Sequence, residues 1–198
     1  MFNNVINQYR DVVNAVRQHV PNAVLVGGAL RDTFYGKEVE DLDFVVGTNN
    51  GVFAVTPITP WLREVWPDKQ FQFIPIPEFQ AEYGANLFDD NPAGVMDVIE
   101  STDKTINMII VHDITRYTHQ FPDSISQMVF DGEQVHTSRL WNSAVMMNRV
   151  YYKEDIKPAR LEKLRRKYPD TLFMVEMAPN VFRQQEFPQP INLEELNF

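Results

Sequence analysis

The chain contains no cysteine among its 198 residues. Disulfide bonds and thiolate metal sites are therefore excluded, and a reducing compartment is compatible with this composition. No run approaches the roughly 20 apolar residues of a membrane-spanning helix, and the N-terminus lacks a basic segment followed by an apolar one. These absences predict a globular, cytoplasmic protein that has no membrane partner.

Basic residues are scarce as well, since 18 Lys and Arg stand against 27 Asp and Glu, for a net charge of −9. A surface that is basic throughout is excluded, although many RNA-binding proteins have one. The positive charge is concentrated in residues 149–167, where eight basic residues accompany three acidic ones. This basic run forms either the solvated faces of two helices or a groove for RNA, and the sequence leaves both interpretations open.

The most informative stretch begins with a short aliphatic run at residues 23–26 that stops at Gly27 and Gly28. Such a run predicts a buried strand that ends in a tight turn. Residues 29–35 carry two apolar side chains four positions apart, which indicates a helix directly after the glycines. Because the first N–H groups of a helix favour anions, we expect a phosphate-binding turn here.

A second strand is predicted over residues 42–46. Side chains alternate between the two faces of a strand, so Asp41 and Asp43 point the same way while Leu42 and Phe44 point into the core. Two neighbouring carboxylates repel each other unless a cation lies between them. Together with the glycine turn, this pair predicts a nucleotide bridged by magnesium.

The opening motif of the class II nucleotidyltransferases resembles the run Gly27-Gly28-x-x-Arg31-Asp32 and the Asp41-x-Asp43-Phe44 that follows it. This family comprises the CCA-adding enzymes and bacterial poly(A) polymerases, within the DNA polymerase β superfamily. Its next block, Arg-Arg-Asp-Phe-Thr-Ile-Asn-Ala, is similar to Asp103-Lys104-Thr105-Ile106-Asn107-Met108. The two blocks occur in the family's order, and the resemblance covers roughly residues 24–111.

The resemblance implies an α+β fold, in which a mixed sheet of the polymerase-β type is flanked by helices. It implies Asp41 and Asp43 as catalytic residues and ligands of Mg²⁺, with Mn²⁺ as an alternative. The nucleotide-binding residues that it implies are Gly27, Gly28, Arg31, Asp32, Asp103 and Asn107. A third carboxylate on a neighbouring strand is also implied, but the strand predicted over residues 70–74 offers glutamine instead.

We predict three regions: a nucleotidyltransferase head over residues 1–117, a small, mainly helical extension over 118–177, and a tail over 178–198. The tail is rich in proline, glutamine and acids, as is typical of a flexible end or of an arm that lies on a partner. Helical spacing of apolar residues or a proline at the first turn predicts helices over residues 3–19, 92–100, 138–152 and 158–167.

The expected reaction is transfer of a nucleoside monophosphate from ATP or another NTP to a hydroxyl acceptor. An RNA 3′ end is the favoured acceptor, and a protein side chain and a small molecule stay open. Enzymes of this family grip RNA with long helical domains, so at this length we expect an oligomer or a partner, bound through the tail, to supply that grip. The alternative is a catalytically silent module that keeps the fold and works by binding protein partners.

Overall fold

The computed structural model describes residues 1–47, 58–74, 95–178 and 181–184. Its helices are α1 (Asn3–His19), α2 (Gly28–Phe34), α3 (Ile58–Val65), α4 (Ile114–His119), α5 (Arg139–Met146) and α6 (Pro158–Lys167). Its strands are β1 (Ala23–Val26), β2 (Leu42–Gly47), β3 (Phe71–Ile74), β4 (Val95–Ser101), β5 (Ile106–Val111), β6 (Met128–Phe130), β7 (Val135–Thr137), β8 (Arg149–Lys153), β9 (Leu172–Ala178) and β10 (Val181–Gln184). Within these ranges, no helix has the length and apolarity needed to cross a membrane.

Seven strands form one mixed sheet in the order β3-β4-β5-β2-β1-β6-β7. Strand β2 pairs in parallel with β5 and antiparallel with β1. A second, three-stranded sheet has the order β10-β9-β8. The mixed sheet and its flanking helices confirm the predicted α+β class.

The large sheet buries a different apolar cluster on each face. On one face, Leu25 and Phe44 pack with residues of α1, α2 and α3. On the other face, Val26 and Val45 pack with Ile109 and the side chains that follow β5. Strand β2 contributes alternately to both clusters, so the predicted inward direction of Phe44 is confirmed, and Asp43 lies on the opposite face.

Two of the predicted helices differ from the structure. Residues 92–100 were expected to be helical, but their described part belongs to strand β4, so this prediction is wrong. Val95, Val98 and Ile99 do fit a helical spacing, yet β-branched residues also favour strands, and the pairing of β4 with both β3 and β5 decides the outcome. The helix expected over 138–152 ends at Met146, because Asn148 adopts a left-handed φ of 50° and turns the chain into β8.

The region from residue 118 onward contains strands as well as helices. Strand β6 pairs with β1, and β7 pairs with β6, so the seven-stranded sheet continues beyond residue 117. Strand β10 lies within the stretch that we predict as a tail, and it pairs with β9, which precedes that stretch except for its last residue. Residues 185–198 of that tail lie outside the described residues.

Leu30→Ala tests the first apolar cluster. Leu30 lies in α2 with no exposed surface, and we expect its truncation to lower the free energy of unfolding by about 2–5 kcal/mol, since a buried cavity is left behind. Urea denaturation followed by circular dichroism measures this loss. Met146→Ala is the matched control, because that side chain is 81% exposed, and we expect it to change stability by less than about 0.5 kcal/mol. Equal losses in both variants would contradict the packing described here.

Candidate active site

The glycine turn forms one edge of a cavity of about 120 Å³. Gly27 has a left-handed φ of 70°, which strains any residue with a side chain, so the backbone conformation favours glycine. The ring of Phe121 lies beside this position. The N–H of Gly27 is used by the sheet, since it donates to the carbonyl of Met128 over 3.2 Å. The first hydrogen bond of α2 runs from the N–H of Arg31 to the carbonyl of Gly27, so the N–H groups of residues 28–30 have no partner within the helix.

Asp41 and Asp43 line the same cavity, as their shared strand face predicts. Both side chains are half-buried at the start of β2. Burial raises the pKa of Asp43 to about 7, assisted by the negative charge of Asp41 and opposed by a hydrogen bond from Asn107. Burial likewise raises the pKa of Asp41. In the absence of a bound cation, this pair therefore carries an electrostatic cost.

A wall of cations lines the same cavity as the two carboxylates. It is made by Arg31 of α2 and by Arg160 and Lys163 of α6. The Nζ of Lys163 lies 2.5 Å from a carboxylate oxygen of Glu40, the residue before Asp41. Carboxylates that can hold a metal and cations that can hold phosphates thus meet in one cavity, which is the arrangement that phosphoryl-transfer chemistry needs.

Arg31 and Asp32 have different positions, although the same motif contains both. Arg31 lines the cavity and is only 6% exposed. Burial opposes its charge, but its hydrogen bond to Asp32 and the charge of Asp123 outweigh that effect and raise its pKa. Asp32 lies behind it, where it accepts hydrogen bonds from Arg31 (2.6 Å), Lys167 (2.5 Å) and Tyr168. Asp32 therefore contacts the cavity only through Arg31.

Two aromatic side chains also line the cavity. Tyr117, on α4, is 4% exposed, and its ring packs edge-to-face with that of Phe121 at 5.5 Å between centroids. Burial and the nearby charge of Asp43 raise the pKa of Tyr117, so its hydroxyl stays protonated. These rings therefore contribute apolar surface to the lining of the cavity that holds the carboxylate pair.

The second predicted block is divided between two places. Asn107 lies beside Asp43 on β5, and its side-chain amide donates to the carboxylate over 2.9 Å. Asp103 lies in the turn before β5, does not line the cavity, and has 47% of its side chain exposed. The ammonium of Lys69 holds the pKa of Asp103 below its usual range. A role of Asp103 in binding nucleotide stays a prediction.

Glu100 is a carboxylate near the site that sequence reasoning missed. It pairs with Asn107 across the sheet, and Asn107 in turn pairs with Asp43. Paired residues point to the same face, so Glu100 shares the face of Asp43 two strands away, roughly 10 Å along the sheet. This relation was missed because residues 92–100 were predicted as a helix, and their apolar residues do not alternate as in a half-buried strand.

Arg160 and Lys163 of α6 are further residues of the candidate site that the motifs did not indicate. Arg160, Lys163 and Lys167 recur at spacings of three and four, which places them on one helical face. That face packs on the head, because Lys167 reaches Asp32 and Lys163 reaches Glu40. The basic run is therefore not only a solvated surface, and its helical spacing was the available signal.

We expect Asp43→Asn to stabilise the metal-free protein above neutral pH. The pKa of Asp43 is raised from 3.8 to about 7, so ionisation costs stability progressively as pH rises from about 4 to 7. Urea denaturation in a chelator should show a higher free energy of unfolding for the variant at about pH 8 and no difference below about pH 4. Asp68→Asn, at an exposed position, controls for the loss of one negative charge. A variant no more stable than wild type at pH 8 would contradict the burial of this charge.

No protein-family model and no curated protein matches this chain. Among solved structures, it is similar to the Thermotoga maritima CCA-adding enzyme complexed with tRNA(CCA), with a TM-score of 0.45, 12% identity, and coverage of 90% of this chain and 41% of that one. The Bacillus stearothermophilus CCA-adding enzyme in complex with CTP gives a TM-score of 0.41, 13% identity, and coverage of 81% and 35%. A tRNA nucleotidyltransferase complexed with a primer tRNA and an incoming ATP analog gives a TM-score of 0.44 and 15% identity, with coverage of 71% of this chain and 37% of that one. The chain thus spans 35–41% of the length of these enzymes. The geometry of the cavity, and not this likeness, carries the proposal that follows.

Proposed function

We propose that this protein transfers a nucleoside monophosphate from a magnesium-bound NTP to a hydroxyl acceptor and releases pyrophosphate. The observation that carries the proposal is the single cavity in which Asp41 and Asp43 face Arg31, Arg160 and Lys163. Phosphoryl-transfer sites work mainly by positioning the phosphates and neutralising their charge, and these two sets of side chains supply both.

The carboxylate pair fits a divalent cation. The raised pKa of Asp43 reflects burial and the charge of Asp41, and a cation between the two side chains would relieve both. Among the residues that the structure describes, no group of three or more His, Asp or Glu side chains could hold a metal. The other ligands would be water and substrate phosphates, as is usual for Mg²⁺. Once bound, Mg²⁺ would neutralise phosphate charge and hold the reacting phosphate in place.

The cations of the wall would bind the phosphates that leave. Arg31 and Arg160 are planar donors suited to phosphate oxygens, and Lys163 adds a mobile ammonium that exchanges Glu40 for phosphate. All three would stabilise the charge that accumulates on pyrophosphate as the bond to the transferred group breaks.

The acceptor hydroxyl would approach from the side of β5. Strands β1 and β5 flank β2 on opposite sides, and the glycine turn follows β1. Because attack is in line with the leaving group, a triphosphate held at the glycine turn leaves the β5 side for the acceptor. Asn107 and Glu100 lie on that side, and Glu100 would be the carboxylate that accepts the proton of the hydroxyl. By the family resemblance, an RNA 3′ end is the favoured acceptor.

One observation favours a second function. The residue beside Asp43 on the neighbouring strand is Asn107, an amide that cannot act as a base. A site without a nearby base would bind a magnesium-bound NTP without turnover, and the fold would then act as a binding or assembly module. Transfer measurements separate the two functions.

Asp41→Ala and Asp43→Ala should each abolish transfer while leaving the fold largely intact, since both side chains face the cavity rather than the core. The assay incubates purified protein with each α-labelled NTP, Mg²⁺ or Mn²⁺, and a mixture of cellular RNA and protein. We expect label in RNA with the wild type and none with either variant.

The same labelling assay identifies the acceptor and tests the alternative function. Label in a protein band would identify a protein side chain as the acceptor. Absence of label together with tight magnesium-dependent NTP binding would favour the binding module. Wild-type transfer in either variant would overturn the metal site.

Arg160→Gln and Lys163→Gln should each weaken binding of magnesium-ATP by about 10- to 100-fold, the usual loss for a hydrogen bond to a charged group. Isothermal titration calorimetry measures the affinity. Arg166→Gln is the matched control, because Arg166 lies on the same helix with 75% of its side chain exposed and pairs within the helix with Glu162. A loss in the control as large as that in the other two variants would show a general effect of charge and would contradict a specific phosphate wall.

A further inference from the structure

The two arginines of the cavity are held by one short segment that does not itself line the cavity. This segment is the 3₁₀ turn Ser124–Ser126 with its capping residue Asp123, between α4 and β6. Asp123 and Ser126 have at most 1% of their surface exposed. A carboxylate buried to this extent needs nearby positive charge. Arg160 and Arg31 supply it to Asp123, and both arginines line the cavity of the proposed triphosphate site.

Asp123 binds Arg160 directly. Its Oδ2 accepts hydrogen bonds from Nη2 of Arg160 over 2.9 Å and from Nε over 3.2 Å. Burial opposes the charge of Asp123, but Arg160 and Arg31 outweigh it and hold the pKa of this carboxyl below its usual range. A guanidinium has five N–H donors, so Arg160 keeps donors that can reach into the cavity.

Ser126 holds the other arginine. Its Oγ accepts a hydrogen bond from Nη1 of Arg31 over 2.8 Å, while its N–H donates to Oδ1 of Asp123 over 3.0 Å. A single turn thus orients one arginine from α2 and one from α6, whose positions in the sequence are 129 residues apart.

The turn is itself fixed to the second sheet. The N–H of Tyr151 donates to Oγ of Ser124 over 3.0 Å, and the N–H of Lys153 donates to the carbonyl of Pro122 over 2.9 Å. Both donors belong to β8. Side chains locked in this way are preorganised, so binding a phosphate costs them little further ordering.

We infer that Asp123 and Ser126 are positioning residues, which set Arg160 and Arg31 in the orientation that binds the triphosphate. The inference rests on the proposed function for the identity of the substrate. It goes beyond that function by assigning the geometry of the phosphate wall to a turn outside the cavity. Asp123 acts through Arg160, and Ser126 acts through Arg31.

A double-mutant cycle between Asp123→Asn and Arg160→Gln tests this coupling. In Asp123→Asn the amide can accept the Ser126 N–H, but its NH₂ group then faces the guanidinium and cannot accept from it. We expect each single variant to bind magnesium-tripolyphosphate about 10- to 100-fold more weakly than wild type. The double variant should bind within about twofold of Arg160→Gln alone, because Asp123 then has nothing left to position.

A purely structural role predicts a different result. If Asp123 only capped the turn, Asp123→Asn, which keeps the cap, would bind with wild-type affinity, and that outcome overturns the inference. A loss that multiplies the loss from Arg160→Gln overturns it as well, because Asp123 would then act independently of Arg160. Asp131→Asn is the matched control: Asp131 also caps a turn, accepting the N–H groups of Glu133 and Gln134, and should leave the affinity unchanged. Melting temperatures of all variants are measured in parallel.

Ser126→Ala keeps the test decisive if Asp123→Asn does not fold. It removes only the hydroxyl that accepts from Arg31, and we expect about tenfold weaker binding of magnesium-tripolyphosphate. Wild-type affinity in Ser126→Ala overturns the assignment of Ser126, and with it that of the turn. Wild-type protein that binds tripolyphosphate through a coupled cycle but transfers no nucleotide would refute the proposed function and support the positioning role. If the wild type transfers nucleotide but the losses from Asp123→Asn and Arg160→Gln multiply, the proposed function would be supported and the positioning role refuted.

Discussion

The charge of Arg31 is the constraint on which the rest of the site depends. A guanidinium that is only 6% exposed costs several kcal/mol unless charged partners surround it. Asp32 supplies one partner from the next residue, and Ser126 supplies another from the turn before β6. Tyr168, the residue after α6, is a third partner, since its hydroxyl accepts a hydrogen bond from Nε of Arg31 over 3.0 Å. The glycine turn, the sheet and the last helix therefore meet at a single side chain.

This network also explains why Arg31 and Arg160 are not paired directly with Asp41 and Asp43, although all four line one cavity. Asp32 and Asp123 neutralise the arginines from behind, on the side away from the cavity. Asp41 and Asp43 face them from the front, where burial raises their pKa values. The rear carboxylates hold the arginines in place, whereas the front carboxylates are left without a full counter-charge. A metal with phosphates would satisfy the front pair and the arginines together.

Local patterns in the sequence were sufficient for the strand, turn and helix that begin the site. Residues 23–26, the two glycines and the Asp-x-Asp strand form a continuous segment whose periodicity and turn residues determine its structure. The fold class followed from the family resemblance of the motifs in this segment. Contacts between distant residues were not accessible in this way. Asp123 resembles any other capping residue in the sequence, and its bond to Arg160 exists only because β8 brings the two regions together.

The error over β4 has the same physical origin. A short apolar segment fits both helical and strand spacing, and pairing with β3 and β5 decides between them. That pairing depends on parallel contact between β2 and β5, which are separated by more than 50 residues of sequence. The position of Glu100 followed from this tertiary choice, so the proposed proton acceptor could be found only in the folded chain.

The pairing of β1 with β6 affects how the molecule can fold during synthesis. Strand β1, in the interior of the sheet, lacks one neighbour until residues 128–130 have been made, and Arg31 lacks its partner Tyr168 until residue 168 has been made. Early regions of a nascent chain normally begin to fold as they leave the ribosome. Here the glycine turn and Arg31 lack part of their native contacts until β6 and Tyr168 have been synthesised. The wall of Arg31, Arg160 and Lys163, with the contact from Tyr168 to Arg31, can therefore be complete only after residue 168 has been synthesised.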